Sequence, residues 1–319
     1  MKADHTRSRA MKLATRINSF FRTSASLIDI LDQLGQIAGL THVDLNYPEH
    51  FTGYDLEDIK EALQRNNLKV NGLAVRFRDP FINGELGNAD PKVAQEAKEL
   101  CFQAVDITKE LGGSQITIWP GYDGFDYPFQ LDYAKAWKQI VSALQEIADY
   151  DPAINISIEY KPYDPRTFAL IGDIGTTLLL VSDVNRPNVG VTLDYCHMKM
   201  KHENPAYSLV LAAERNLLLG VHLNDGYGVT DDGLMIGTVG LTQTLEFLYY
   251  VKKYRYDGVI YFDTFPTREE AAAECETNIK LLNRFMSLIE RVGMDTIEAV
   301  VSQNDAIAAQ EVLLKCLAE

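Results

Sequence analysis

The sequence predicts an α/β protein, a (β/α)8 TIM barrel with a C-terminal helical extension, and three observations lead there. Short β-rich runs alternate with longer segments of helical period, the order expected of βα units around a parallel sheet. Eight such runs fit within 319 residues, a length that suits one barrel and an extension. No Gly/Ser-rich linker or low-complexity tract divides the chain, so a single barrel over residues 1–292 and an extension over 293–319 are expected.

The candidate strands cover residues 14–20, 42–46, 73–77, 115–119, 154–160, 189–194, 220–224 and 258–262. Between the third and fourth, Val93, Ala97, Leu100, Cys101, Ala104 and Thr108 trace one helix face. After the fourth, Ala134, Trp137, Val141, Leu144 and Ala148 trace another, which makes Trp137 a core residue. Asp164 and Pro165 have the residue types of an N-cap and a first helical position and are expected to open the helix after the fifth strand, with Arg186-Pro187-Asn188 closing that connection. In the extension Ile297, Val300, Val301, Ile307, Ala308, Val312 and Leu313 form an amphipathic surface, suited to covering the barrel or a neighbouring subunit. A homo-oligomer, dimer or tetramer, is expected.

Composition narrows the function. The chain is 46% hydrophobic and 24% charged, enough apolar material for a large core. A net charge of −15 repels phosphate backbones and anionic lipid surfaces, which argues against nucleic acid and membranes as partners. The first fifteen residues, with Asp4, His5, Arg7, Arg9 and Lys12, have no apolar core and give no secretory leader. Cys101, Cys196, Cys275 and Cys316 are scattered without a CxxC pair, as in reduced, cytoplasmic proteins. Cys196 fills space rather than attacks, because no base accompanies it.

Chemistry collects in the second half. In such a barrel the active face lies at the C-terminal ends of the strands. There the sequence reads Glu159-Tyr160-Lys161, Asp194-Tyr195-Cys196-His197, His222-Leu223-Asn224-Asp225 and Asp263-Thr264. Glu159, Asp194, His222 and Asp263 supply one ligand per strand, and three carboxylates with one imidazole suit Mn²⁺, with Mg²⁺ or Co²⁺ as alternatives. Converging acids without a cation would repel, so a bound metal is the simpler account of the set. Lys161 shares a strand face with Glu159, which places an ammonium beside the metal to polarise a carbonyl oxygen. His197, in the loop beyond its strand, can move a proton or hold a second cation. Asp231 and Asp232 follow the seventh strand in a long loop, where acids serve a second cation or a turn. Trp119 and the turn-rich segment through Asp123 to Pro128 suit stacking on a sugar ring.

Taken in order, these motifs resemble the xylose-isomerase-like barrel superfamily, and within it the branch of L-rhamnose isomerase and related sugar isomerases. The resemblance implies a divalent metal on Glu159, Asp194, His222 and Asp263, Lys161 at the substrate oxygen, and His197 with Asp231 at a second metal or water site. Trp119, Asp123 and Asn224 would then line the pocket of a small unphosphorylated sugar. The implied reaction is aldose-ketose isomerisation by hydride shift or through a cis-enediol. One departure from the family stands out: its loop alternates two acids around the second metal, whereas Asp231 and Asp232 are adjacent here.

Three other activities share this scaffold. A ketose 3-epimerase resembles a pattern with Glu on the eighth strand and no lysine two after the fifth-strand Glu, so Asp263 and Lys161 favour isomerase. A polyol lyase is compatible with the same residues. An apurinic-site endonuclease needs more histidines than His197 and His222 at the rim, and the negative charge opposes DNA.

Overall fold

The computed structural model describes residues 11–23 and 26–318. Residues 1–10, on which most of the no-leader reading rests, lie outside them. The fold is the expected barrel. Its eight parallel strands are β1 (Lys12–Thr15), β2 (His42–Tyr47), β3 (Lys69–Val75), β4 (Gln115–Ile118), β5 (Asn155–Glu159), β6 (Val189–Asp194), β7 (Leu218–His222) and β8 (Val259–Phe262). Backbone ladders join them in the order β1-β8-β7-β6-β5-β4-β3-β2. Between β1 and β2 there is no ladder. One backbone bond, Thr41 N to Leu13 O at 3.1 Å, crosses that interval. Side chains do the rest: Thr41 Oγ1 accepts from Leu13 N at 3.0 Å, and Asn18 Oδ1 accepts from Asn46 Nδ2 at 3.1 Å and from His50 Nε2 at 2.6 Å.

The period of two along each strand sorts residues to the two sides of the sheet. In β2, Val43 and Leu45 are fully buried in the core, while Asp44 and Asn46 line a cavity inside the barrel. The same alternation puts Ala74 and Arg76, Thr117 and Trp119, Glu159 and Lys161, and Tyr261 and Asp263 into that cavity. On the outer side the helical ring packs fully buried leucines and isoleucines, such as Leu31, Leu34, Ile59, Leu180 and Leu282. Each such side chain contributes about 1.5–3 kcal/mol relative to exposure.

The inner ring is crowded. A Cβ at Gly220, two residues before His222, would collide with Thr192 Oγ1, which is itself held by Ser157 Oγ at 2.5 Å.

The helices are α1 (Leu27–Leu34), α2 (Leu56–Arg65), α3 (Pro91–Glu110), α4 (Tyr133–Tyr150), α5 (Ile174–Val184), α6 (Tyr195–Met200), α7 (Pro205–Ala213), α8 (Leu241–Lys253), α9 (Ala271–Val292), α10 (Met294–Val301) and α11 (Ala306–Leu317). Asp90 and Asp132 cap α3 and α4 through side-chain bonds to Lys92 N and Lys135 N. Trp137 packs against the core and donates Nε1–H to Asp183 at 2.8 Å.

Several expected boundaries differ: the third strand spans Lys69–Val75, the seventh spans Leu218–His222, and two further differences have a clear cause. The first strand ends at Thr15, and residues Ile17–Arg22 form a 3-10 helix, because Ile17 and Phe20 are both buried at helical spacing. Asp164-Pro165 does not start α5. Asp164 stands at φ 66° in the loop after β5, where its carboxylate meets Lys161, and Asp173 caps the helix by accepting from Thr176 N at 2.7 Å.

That loop pairs with the one after β4. Phe168–Ala169 and Gly124–Phe125 form a two-residue antiparallel pair with Phe125 and Phe168 stacked at 5.1 Å. Arg166 pins it by an ion pair with Asp126 at 2.8 Å and by a bond to Ile82 O. After α9, Gly293 turns the chain at φ 91°, and α10 and α11 return over α8 and α9. Ile297 and Cys316 are buried there, and Arg291 donates to the carbonyls of Lys315 and Cys316. The outer face of α11 leaves Ile307 and Leu314 exposed.

Candidate metal centre

The C-terminal ends of β5 to β8 bring four side chains together. One ligand atom each from Glu159, Asp194, His222 and Asp263 lies within 4.8 Å of the others. His222 Nδ1 is 3.2 Å from Glu159 Oε1 and 4.0 Å from Asp263 Oδ2. Asp194, Glu159 and His197 are 1%, 8% and 4% exposed, so these charges are largely removed from water. A second trio, Asp194, His197 and Asp231, meets the same distance criterion and shares Asp194 with the first.

His197 is not in a loop. It sits in the first turn of α6, because Asp194 Oδ1 caps that helix by accepting from His197 N at 3.0 Å. Its Nδ1 faces Tyr160 O at 2.9 Å and its Nε2 faces Asp231 Oδ2 at 3.1 Å. Asp231 Oδ2 also accepts from Lys161 Nζ at 3.2 Å. Asp232, its neighbour, turns away: its carboxylate takes Tyr227 N and the Thr230 hydroxyl within the loop. Lys161 lies 5.3 Å over the Trp119 ring.

Burial and mutual charge set the protonation. Burial alone would lower the histidines, but Glu159 raises His222 to about 10, and Asp194 with Asp231 raises His197 to about 9. Burial pushes Asp194 up to about 7 against the pull of His197. Glu159 resists its own burial and is held down at about 2 by His222. Lys161 is raised above its ordinary value, since Asp231 and Asp164 outweigh burial, and stays an ammonium. The histidine protons, with Arg16 and Lys161, are the counter-charge the chain itself supplies, and a divalent cation bound here would take the place of the histidine protons. Hard carboxylate oxygens with one imidazole suit such a cation, and the buried Oδ1 of Asp231 and Oδ2 of Asp44 accept no hydrogen bond from the described residues.

The cavity over this centre measures about 160 Å³. That is below the roughly 300–1,000 Å³ of drug-sized sites, so it takes a single short molecule. A larger hollow of about 1020 Å³ opens at the opposite mouth, among strand beginnings such as Lys12, His42 and Lys69. Both clusters of metal-type ligands among the described residues lie at the smaller cavity.

Of the pocket residues expected from sequence, Trp119 lines the cavity and two others do not. Asp123 is 2% exposed and faces inward, because its carboxylate accepts from Glu85 N at 2.9 Å and Gly87 N at 3.0 Å and so orders the segment after β3. Asn224 is fully buried. Its Nδ2 donates to Asp194 Oδ2 at 3.1 Å and to Asp263 O at 3.0 Å, and its Oδ1 accepts from Cys196 N at 2.8 Å, so it ties the ends of β6 and β8 together behind the cavity. Cys196 is buried among these groups. Sequence reasoning missed Arg16, Asp44, Asn46, Arg76 and Tyr261, all of which line the cavity. Arg16 Nε stands 3.5 Å from Asp263 Oδ1. Burial pushes Asp44 up to about 6.

Comparisons with known proteins agree with the fold. The family model described as xylose isomerase-like TIM barrel matches residues 33–284. A xylose isomerase of Thermus thermophilus is 26% identical over 219 residues, which are 66% of this chain and 57% of that protein. A probable sugar isomerase of Mesorhizobium japonicum is 28% identical over 163 residues, 49% of this chain and 36% of that one. The match thus spans 57% of the length of the Thermus xylose isomerases and 36% of the Mesorhizobium protein. Among solved structures, a D-allulose 3-epimerase from Methylomonas sp. superposes with a TM-score of 0.73 at 19% identity, covering 87% of this chain and 98% of that one. A D-tagatose 3-epimerase-like protein gives 0.71 at 20% identity, covering 88% and 98%.

Proposed function

This chain belongs to the xylose isomerase-like TIM-barrel family, and from that membership we propose that it is a metal-dependent aldose-ketose isomerase acting on a small unphosphorylated sugar. Relatives in the family carry the names of sugar isomerases, and the fold is shared with solved ketose 3-epimerases. The observation that favours isomerase is the Lys161 ammonium, buried beside the carboxylate-imidazole set and held charged by Asp231 and Asp164.

Glu159, Asp194, His222 and Asp263 would hold the ion, most naturally Mn²⁺, which when bound supplies positive charge to the oxygens at the reacting carbons. The chain supplies the rest. In aldose-ketose interconversion negative charge grows on the oxygen at C1 or C2, and a fixed ammonium stabilises it more in the transition state than in the ground state. His197 keeps Nδ1–H on Tyr160 O, so Nε2 is free to carry or release a proton toward Asp231. Trp119 offers its ring to the carbon face of the substrate. A C3 epimerisation gains less from an ammonium placed for C1 and C2.

Lys161→Met decides between the readings. We expect the Mn²⁺-loaded variant to keep its metal and bind sugar while kcat falls by roughly 10² or more. The wild type, given a panel of ketoses, is expected to yield the aldose. A product confined to the C3-epimeric ketose, or normal turnover by Lys161→Met, would replace the isomerase with the epimerase.

A further inference from the structure

Resting on that reading, we infer that the sugar carries a carboxylate at the end remote from the reacting carbons, and that Arg76 is the residue that selects it. The metal-type ligands come from β5 to β8, and the other half of the rim is of different chemistry. There Arg16, Asn46, Arg76 and Trp119 stand at or just past the ends of β1, β2, β3 and β4 as a wall of hydrogen-bond donors facing the carboxylates across one small cavity, with Asp44 the one acid among the lining residues of those strands.

Arg76 stands out in that wall. Its Nε is buried and has no hydrogen-bond partner. Among the described residues no carboxylate stands within 4.0 Å of its guanidinium, whereas Arg16 has Asp263 and Arg78, two residues on, has Glu49 at 2.7 Å. The Trp119 ring lies 5.7 Å from the Arg76 guanidinium carbon and restrains it. Arg76 is half-buried, with its Nε–H enclosed and lacking an acceptor, which costs stability, and the planar guanidinium fork matches the two oxygens of a carboxylate.

Aldose-ketose exchange occupies C1 and C2, so an acid group that Arg76 binds must stand at the far terminus. The class is a short uronate or its ketose isomer. A neutral sugar would leave Nε without a charged acceptor, and the cavity of about 160 Å³ bounds the chain to a single small sugar acid.

The test is binding by the Mn²⁺-loaded protein of reduced, unreactive analogues: the pentitols and the matching pentonates, measured by calorimetry. The best pentonate is expected to bind about tenfold or more tighter than the best pentitol, as one charge-assisted pair supplies. Arg76→Met is expected to erase that difference while leaving metal content unchanged, and Arg76→Lys to restore part of it. Equal affinity for the two classes in the wild type overturns the inference without recourse to any variant. A pentonate preference that survives in folded Arg76→Met also overturns it, because the acid would then be held by the metal, Arg16 or Lys161. Turnover of neutral sugars without any pentonate preference removes the acid substrate and leaves the isomerase standing. A pentonate preference without isomerase turnover does the reverse.

Discussion

Glu85 shows how a residue far from the chemistry shapes the protein. It is fully buried beside Asp123, accepts from Tyr122 N at 2.8 Å, and leaves Oε2 without a partner. Burial, with the neighbouring Asp123, pushes its pKa well above the usual carboxylate range, and burial raises Asp123 to about 6. The sign follows from linkage. Below the ordinary value of 4.5 the group is neutral folded or unfolded; above it the unfolded chain gains by ionising and the fold does not, so stability falls as pH rises. Glu85→Gln removes this loss, and its melting temperature should equal the wild type near pH 4.5 and exceed it increasingly toward pH 8. Calorimetric scans at both values check this, and a difference independent of pH would show that Glu85 is not neutral in the fold. Residues of this kind are where sequence reading fails. Asp123 follows a strand in a turn-rich loop and looks like a pocket residue, yet the free N–H groups of Glu85 and Gly87 draw it inward. Asn224 is likewise drawn to Asp194 and Asp263.

At the level of elements, one side chain does two jobs. Asp194 ends β6, caps α6 and belongs to both clusters of metal-type ligands. Asn caps a helix as well as Asp does, so Asp194→Asn should keep the bond to His197 N and the fold while losing an anionic ligand. We expect a melting temperature close to wild type, with Mn²⁺ content and turnover lost. A variant that retains stoichiometric metal and activity would exclude Asp194 from the coordination. The strand-end motifs of β5 to β8 were legible because each places an ionisable group just where an apolar run stops. Asp44, Arg76 and Arg16 were not, because along β1 to β3 a polar residue at alternate positions reads as an ordinary solvent face. Only closure of the barrel turns that face inward. The start of α5 was misplaced for a related reason: Asp164 has the composition of a cap, but the lysine at 161 holds it in the loop.

For the molecule as a whole, the extension packs on its own barrel, with Ile297 and Cys316 against α8 and α9. A chain ending at residue 302 should therefore melt roughly 5 °C or more lower, from the apolar surface uncovered on α8 and α9, at unchanged sedimenting mass. A fall in mass as well would mean that the outer face with Ile307 and Leu314 also seats a second copy. The eight strands and their order were legible from the rhythm of the sequence; how the cylinder shuts was not, since it depends on Thr41, Asn18 and His50 meeting groups far along the chain. In the other seven intervals the sheet is held by peptide ladders, which no side-chain substitution removes. The eighth is open to genetics. Thr41→Val deletes an acceptor for Leu13 N and should cost about 1 kcal/mol of closure. Combined with Asp194→Asn in a thermodynamic cycle, it would read out how strongly shutting the cylinder and loading its ion depend on each other.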